Sequence, residues 1–410
     1  MGTVHTDKIK PGMVLADEVR DISGRLLLAR GKKIMPEHLR IFKIWGVTEV
    51  NIMGVNGSTP ANTTSTDPNE IAKTEETTKL AFRHADLKHP ALKELFKLSV
   101  AYRCQYGCSE LPRQLAIETN RAKDTAPSHK NKRILDKLIK KNIKLPEIPS
   151  IVFELNEVIA NPLSSAENIA HVVNKSPSLT ALLLKIVNSS FYGLPSKIDK
   201  ISLAVTMIGT REISGLALGI SILSIFKNIP KEILDMYSFL KHSLACGIIA
   251  RLLAAQKNLP QTEQMFVSGL LHDLGRLVLY IYFPKEASYV IGCAGQSEKL
   301  LFQEETAHLG CDHAYVSKEL MGQWKLPLIL ENNVFYHHNP SASPHPDQAT
   351  IVHLADIIVN ALGIGSSGER FVPSLDQAAW DNFALSPSCF EMVIRQATHQ
   401  FSSMESILSA

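Results

Sequence analysis

The residues most able to do chemistry begin with an adjacent His–Asp pair in an apolar run, "GLLHDLGRLVLY" at 269–280. His272 and Asp273 stand there among leucines and a valine. Burying an unpaired carboxylate costs several kcal/mol, so a buried charge is normally paired with a base or bound to a metal ion. The counter-charge of Asp273 is therefore expected to be Arg276, one helical turn on, or a cation.

Five further candidate ligands occupy the second half of the chain, each beside apolar residues. They are His242, His313, His337, His338 and Asp356. Imidazole suits Zn, Cu, Fe and Ni, whereas carboxylate suits harder ions such as Mn. Each residue alone could be an ordinary core residue, but five histidines and two aspartates on successive predicted helices favour a divalent-metal site. Asp273 has two carboxylate oxygens and could bridge two ions.

The elements that must position these residues are predicted to be helices, because the chain from 145 onward shows almost continuous helical patterns and no series of alternating strands. The His–Asp pair is placed within a helix, where adjacent side chains point about 100° apart. Ser164 with Glu167 predicts a capping box. Ser176 and Pro177 predict the start of another helix. The remaining nearby histidines are expected to be surface residues: His308, His345 and His353.

The chain is predicted to be mostly α, with an all-helical C-terminal domain and a small mixed α/β N-terminal domain. Residues 1–54 predict two strands around "DISGR", a helix in "MPEHLRIFKIWG" and a third strand at 47–53. The predicted segments are a small N-terminal domain (1–54), a flexible linker (55–80), a helical basic connector (81–140), the helical domain (141–365) and a C-terminal extension (366–410).

The amino-acid composition is that of an ordinary globular protein and excludes few functions. The chain has 410 residues, 45% hydrophobic and 20% charged, as in ordinary globular proteins. A net charge of +3 is too weak to argue for nucleic acid. The basic stretch 121–144 has no interleaved aromatic residues, which favours a solvated helix face over a nucleic-acid surface.

The six scattered cysteines predict a reducing, cytoplasmic compartment. Cys104 and Cys108 could bind a metal, but no second pair lies nearby, so unrelated thiols are favoured. No secretory signal is visible. The longest apolar stretches fall short of about 18–20 residues, so no membrane span is expected.

The stretch "LLHDLGRL", with an upstream His and a downstream Asp, resembles the HD superfamily of metal-dependent phosphohydrolases. Region 145–365 is similar, more narrowly, to the HDOD family, the HD-related output domain of bacterial signalling proteins. The motifs follow in order as "LPEIPSIVFEL", "SPSLTALLLKIVNSSFYG", "KIDKISLAVTMIG", "GLLHDLGRL", "LGCDHAYVSKELMGQWKLP", "YHHNP" and "VHLADIIVNALGIG". "IKPGMVLADEVRDISGRLLLARGKKI" is similar to the small domain that precedes some HD-type phosphodiesterase domains.

The resemblance implies a ligand set. The residues that match the four HD ligands for one ion are His242, His272, Asp273 and Asp356. The residues that match the extra histidines of HD-GYP cyclic-di-GMP phosphodiesterases are His313, His337 and His338, which implies a second ion with Asp273 bridging. The implied cofactors are two divalent ions such as Fe, Mn or Zn.

The chain also departs from the HD-GYP pattern. "HHNPSASPHP" has no Glu after the His pair, and no Gly-Tyr-Pro motif follows. Arg276 stands where a Lys usually follows the HD pair, and Ser238 stands where a third-ion Glu would be expected. Ser176 replaces an Asp common in HDOD domains. A metal site is therefore better supported than cyclic-di-GMP hydrolysis.

Two functions follow from the resemblance. The favoured one is a signalling output protein that binds metal or a nucleotide and acts through a protein partner, because the Gly-Tyr-Pro segment is missing. The alternative is a metal-dependent phosphodiesterase or phosphohydrolase acting on a cyclic dinucleotide or another nucleotide. In that enzyme Arg276 could hold a phosphate bidentately, but a salt bridge from Arg276 to a neighbouring acid is equally expected. Nucleic-acid binding is not favoured.

Overall fold

The computed structural model describes residues 2–5, 9–20, 26–44, 47, 49–53, 68–107, 149–161, 163–189, 192, 194, 196–226 and 229–408. These residues form a mostly α protein with a small α/β unit near the N-terminus, as the sequence predicts. Cys108 and the basic stretch 121–144 lie outside the described residues, so the interpretations of both stay predictions.

The N-terminal unit is built from short strands and one helix. Its elements are β1 (Gly2–His5), β2 (Val19–Arg20), β3 (Leu26–Leu28), α1 (Pro36–Ile44) and β4 (Glu49–Ile52). Strand β1, which the sequence did not predict, pairs antiparallel with β4, and β2 pairs antiparallel with β3. The unit has an apolar core of its own, which consists of Ile9, Leu15, Val19, Ile34, Phe42, Val50 and Ile52.

The rest of the described chain is helical. Its helices are α2 (Pro68–Ala81), α3 (Pro90–Tyr106), α4 (Ser150–Ala160), α5 (Ala166–Asn174), α6 (Pro177–Val187), α7 (Ile201–Ile208), α8 (Thr210–Leu223), α9 (Met236–Gln256), α10 (Thr262–Leu271), α11 (Leu274–Tyr282), α12 (Pro284–Ser297), α13 (Leu301–Leu309), α14 (His313–Gln323), α15 (Leu328–Phe335), α16 (Pro346–Leu362), α17 (Gln377–Phe383) and α18 (Cys389–Leu408), with a short 3₁₀ turn at Pro340–Ala342. Helices α9, α10, α15 and α16 pack against one another around the candidate site.

One apolar core joins these helices, and it extends beyond the predicted 141–365 limits. Leu95 on α3 and Val393 on α18 are fully buried in the same cluster as the central helices. Arg103 on α3 donates to the carbonyl oxygens of Ala361 (2.9 Å) and Asn360 (3.1 Å), at the end of α16. A cation at that end also complements the helix dipole.

The predicted linker at 55–80 needs correction. Its last part, Pro68–Ala81, is helix α2, in which Thr74 and Thr78 are buried; residues 54–67 lie outside the described part of the chain. Composition rich in Ser, Thr and Asn suggested a linker, but packing against α3 outweighs this weak helix propensity.

The predicted capping box shifts by one residue. Ser165, not Ser164, caps α5: its hydroxyl accepts from the backbone N–H of Asn168, and the Asn168 side chain accepts from the backbone N–H of Ser165. Because Ser164 and Ser165 are adjacent, the sequence alone does not determine which of them is the N-cap residue. The cap of α6 is as predicted, with Ser176 at the N-cap and Pro177 as first helical residue.

Helix α9 is longer than the apolar stretches on which the expectation of no membrane span is based. This helix of 21 residues is long and apolar enough to cross a membrane by length and composition. However, 72% of its most apolar segment is buried inside the fold. Two helical segments that meet at a sharp bend, Thr262–Tyr282 and Pro284–Ser297, are long and apolar enough to cross a membrane only when they are counted together as one span. Residues along α9, among them Phe239, Ile248 and Leu253, belong to the apolar core of the helical part.

Two glycines permit the close helix contacts that assemble the site. A Cβ on Gly275, at the start of α11, would overlap the carbonyl oxygen of His313 at the start of α14. A Cβ on Gly269 would lie 2.6 Å from the carbonyl oxygen of Cys246 on α9. Both contacts bring backbone directly against backbone, so the elements that carry the candidate ligands meet at short range.

Candidate metal centre

All seven predicted ligands come together in the interior. They lie on α9 (His242), between α10 and α11 (His272 and Asp273), at the first residue of α14 (His313), after α15 (His337 and His338) and on α16 (Asp356). We call these seven residues the ligand cluster. Six are buried, and His338 is partly exposed.

The His–Asp pair does not lie within one helix as the sequence suggested. Helix α10 ends at Leu271 and α11 begins at Leu274, so His272 and Asp273 occupy the break between them. The ring of His272 turns back on α10, where its Nδ1 lies 2.8 Å from the carbonyl oxygen of Gly269. The break aims both side chains at the same space, which an unbroken helix would not do.

The first group of ligand atoms surrounds one point. Nε2 of His242 lies 3.6 Å from Oδ2 of Asp273 and 3.4 Å from Oδ1 of Asp356. Nε2 of His272 lies 3.2 Å and 3.5 Å from the same two oxygens. Ligand atoms about 2.1 Å from a shared tetrahedral ion would lie about 3.4 Å apart. These separations therefore fit a cation at the centre of the group.

The second group lies on the other side of Asp273. Nε2 of His313 lies 2.9 Å from Oδ1 of Asp273, 3.4 Å from Nε2 of His337 and 3.1 Å from Nε2 of His338. Each oxygen of Asp273 thus faces a different group. This is the arrangement that a carboxylate bridging two ions requires.

The outer hydrogen bonds decide which ring nitrogens carry protons. Nδ1 of His337 lies 2.6 Å from the carbonyl oxygen of Val334, and Nδ1 of His313 lies 2.6 Å from Oε2 of Glu305. Because these oxygens only accept, each Nδ1 must donate, as does Nδ1 of His272. In a neutral ring, Nε2 then presents a lone pair to the cluster. Metal-binding histidines are oriented in this way.

The lone pairs of these Nε2 atoms therefore face one another and the carboxylate oxygens, unless a cation or protons lie between them. Among the described residues, no partner makes a well-aligned hydrogen bond to Nε2 of His272, although the atom is fully buried. Ligating imidazole must be neutral and ligating carboxylate ionised, and this orientation favours both. The buried His, Asp and Cys groups of this cluster could hold a metal ion.

The pKa values show what the metal-free cluster would do instead. Burial alone would lower the pKa of His272, but Asp273 and Asp356 outweigh it and raise that pKa to about 10. Burial and Arg276 lower the pKa of His313, but Glu305 and Asp273 raise it further, to about 9. Without a metal, these two rings bind protons where a cation would otherwise lie.

The other histidines of the second group stay neutral. Burial, together with the positive charges of His272 and His313, lowers the pKa of His337 to about 3. Burial and the neighbouring rings of His337 and His313 hold the pKa of His338 well below its usual range. Neutral imidazole is the form that binds metal, so these two rings need no deprotonation at neutral pH.

Arg276 is engaged by carboxylates inside the protein. Its guanidinium is 2% exposed and lies 3.2 Å from Oδ2 of Asp273, 3.3 Å from Oε1 of Glu305 and 2.6 Å from the hydroxyl of Ser367. Of the two roles that the sequence left open, this geometry favours the salt bridge over a phosphate contact. Part of the counter-charge of Asp273 is therefore Arg276 itself.

Several residues near the cluster were missed or misjudged from sequence. Glu305 orients His313, and Cys246 lies beside His242. His353 was expected at the surface but is buried: it accepts from the backbone N–H of Asp376 and donates from Nδ1 to the carbonyl oxygen of His337, 2.7 Å away. A single carboxylate such as Glu305 leaves no periodic signal in a sequence, whereas Cys246 follows His242 by four residues and could have been noticed.

His338 is the partly exposed member of the ligand cluster. The ring of Phe302 stacks on the ring of His338 at 4.1 Å between centroids and 13° between planes. The side chain of Asp356 is 8% exposed, whereas those of His242, His272 and His313 are not exposed at all.

Replacing Glu305→Gln is expected to weaken metal affinity by about 10–100-fold, because the neutral amide makes His313 a poorer and less firmly held ligand. Titration of the metal-free protein with Zn²⁺ against a competing chelator measures the change. The matched control is Glu304→Gln, because Glu304 is also buried but faces Lys299 and His308. Equal affinities for both variants would contradict the role given to Glu305.

Comparison with known proteins relates the helical part of the chain to one family and to several solved structures. A family model for the HDOD domain matches residues 145–340. An uncharacterized protein of Treponema pallidum is 24% identical over 235 residues, which cover 57% of this chain and 43% of that protein. The match thus spans less than half the length of that relative.

Solved structures share the fold. An HDOD domain protein of unknown function from Geobacter sulfurreducens has a TM-score of 0.56 at 23% identity, covering 68% of this chain and 96% of that one. A candidate signal transduction protein from Marinobacter aquaeolei has a TM-score of 0.54 at 20% identity, covering 76% and 73%. A candidate phosphohydrolase from Shewanella amazonensis has a TM-score of 0.53 at 20% identity, covering 66% and 97%.

Proposed function

Because the chain contains an HDOD domain of the HD superfamily, we propose that it is a signal-transduction output protein that binds two divalent ions and acts through a partner. The observation that carries this proposal is the ligand cluster, where the Nε2 atoms of five histidines and two carboxylates converge with Asp273 facing both groups. The ligands proposed for the ions are all seven members of the cluster. Fe, Mn and Zn all suit such a mixture of imidazole and carboxylate.

The enclosure of the cluster supports a binding role over a catalytic one. Catalytic metal sites keep a coordination position open to water or substrate. Here most ligands are fully buried, Phe302 stacks on the ring of His338, and Arg276 is held by Asp273 and Glu305. In this proposal, metal binding locks helices α9, α11, α14 and α16 into one arrangement that a signalling partner recognises.

The second candidate is a metal-dependent phosphohydrolase acting on a cyclic dinucleotide or another nucleotide. Asp273 between the two groups supports it, since bound ions in such a site supply Lewis acidity to a phosphate. The residues of this chain would have to admit substrate past His338 and Phe302. Solved proteins with this fold include candidates for both roles, so the fold alone does not separate them.

A cytoplasmic location is part of the proposal. Five cysteines lie in the described part of the chain, namely Cys104, Cys246, Cys293, Cys311 and Cys389, and all are free thiols. Free thiols are typical of proteins kept in a reducing compartment. The N-terminal unit, with its separate core, is proposed to be a distinct module of the same protein.

Metal analysis tests the proposal directly. Protein purified without chelator is expected to hold about two ions per chain, and Asp273→Asn is expected to hold fewer than about one, because the bridging charge is lost. The matched control is Asp347→Asn, an exposed aspartate on α16, which should retain the wild-type content. Metal-free wild-type protein that takes up no Fe, Mn or Zn would overturn the proposal.

Turnover measurements separate the two candidates. Fully loaded wild-type protein is assayed with cyclic dinucleotides and with a generic phosphodiester, alongside Asp273→Asn. The signalling proposal expects no turnover at full occupancy and a metal-dependent gain in hydrogen-exchange protection of α9 and α16. Turnover that Asp273→Asn abolishes would favour the phosphohydrolase.

A further inference from the structure

A buried thiol lies beside the first group of ligand atoms. Cys246 follows His242 by four residues on α9, so the two side chains share one face of the helix. Its Sγ is 3.6 Å from Nε2 of His242, and the residue is fully buried. We propose that Cys246 is a further metal ligand, so that the first group binds its ion through sulfur as well as nitrogen and oxygen.

The separations fit this role. Zn–N bonds of about 2.05 Å and Zn–S bonds of about 2.3 Å at a tetrahedral ion place the two ligand atoms about 3.6 Å apart. Sγ of Cys246 and the ligand atoms of His242, His272 and Asp356 all lie within 4.8 Å of one another. Together with Oδ2 of Asp273, they would give the first ion five ligands from the protein.

A second observation points to a ligand at the same place. Nε2 of His272 is fully buried and has no well-aligned hydrogen-bond partner among the described residues. It is directed at the space that Sγ of Cys246 and Oδ1 of Asp356 also border. An ion placed there would satisfy the nitrogen, the sulfur and the oxygen together.

Sulfur ligation would set the choice of metal. Thiolate is a soft ligand that favours Zn²⁺, Fe²⁺ and Co²⁺, whereas Mn²⁺ prefers oxygen. The first group would therefore be selective for the softer ions. The second group, with three imidazoles and one oxygen of Asp273, contains no sulfur. The two positions of the centre would then differ in metal preference.

The inference rests on the proposed metal binding, and Co²⁺ spectroscopy tests it in the full chain. Wild-type protein loaded with Co²⁺ is expected to show a thiolate-to-cobalt charge-transfer band in the near ultraviolet. Cys246→Ser is expected to lose that band. Its Zn²⁺ affinity should also fall by more than about tenfold, because replacing a residue that only hydrogen-bonds to a ligand already costs that much. Its Mn²⁺ affinity should change little.

The matched control is Cys293→Ser, a free thiol on α12 outside the cluster, which should retain the band. Co²⁺ bound without the band in wild-type protein would overturn the role of Cys246 while leaving metal binding itself intact. Protein that binds no Co²⁺, as judged by elemental analysis, would overturn both. The wild-type spectrum decides the question even if Cys246→Ser does not fold.

Discussion

Replacing Arg276→Met is expected to lower the free energy of unfolding of the metal-free protein by about 3–5 kcal/mol. Methionine fills a similar volume but removes the arginine charge that Asp273 and Glu305 share, and among the described residues His313 is then the one base that still lies between these buried carboxylates. Removing one partner of a buried charge network costs far more than the intact network contributes. The tie to the Ser367 hydroxyl is lost as well.

Urea unfolding in the presence of a chelator measures this loss. The matched control is Arg211→Met on α8, where the arginine is exposed, and a change within about 0.5 kcal/mol is expected there. Similar free energies of unfolding for the two variants would mean that Arg276 does not neutralise the interior carboxylates. A phosphate-binding role would then regain support.

The ligand cluster could be predicted from sequence because its members combine unusual types with apolar surroundings. His272 and Asp273 interrupt a run of leucines, and Asp356 interrupts another apolar helix, so burial and the need for a counter-charge are both readable. The order of the ligands along the chain also resembles that of a known family. The helical class follows from the same apolar periodicity.

The local backbone of the site could not be predicted in the same way. The break at His272 and Asp273 is hidden because apolar residues continue on both sides of it. The burial of His353 and the orientation of His313 by Glu305 depend on contacts between separate helices, for which a single sequence carries no signal. The N-cap of α5 is likewise Ser165 instead of the predicted Ser164, because the sequence does not fix the first residue of a helix to within one position.

The metal-free protein is expected to lose stability as the pH rises above neutrality. The pKa values of His272 and His313 are raised in the fold to about 10 and about 9, by the carboxylates that face them despite burial. A base whose pKa is raised on folding stabilises the fold below its unfolded pKa of about 6.5 and loses this contribution as the pH passes the folded values. With both rings, the metal-free protein loses stability steadily between about pH 6.5 and pH 9.

The opposite shift limits stability on the acid side. Burial lowers the pKa of His337 to about 3, so this ring stays neutral in the fold while the unfolded chain binds a proton below about pH 6.5. That difference destabilises the fold increasingly as the pH falls through that range. The metal-free protein is therefore expected to be most stable near pH 6.5.

Metal is expected to reverse the alkaline loss. An ion in the cluster replaces the protons of His272 and His313, so the gain in melting temperature on adding Zn²⁺ should grow between pH 6.5 and 9. Thermal unfolding with chelator and with Zn²⁺, at pH 6.5, 8 and 9, measures both trends. Calorimetry at pH 8 should detect about two protons per chain released by His272 and His313, and about one more from the Cys246 thiol when it binds the ion. A chelated protein that becomes more stable from pH 6.5 to 9 would contradict the raised pKa values of these two rings.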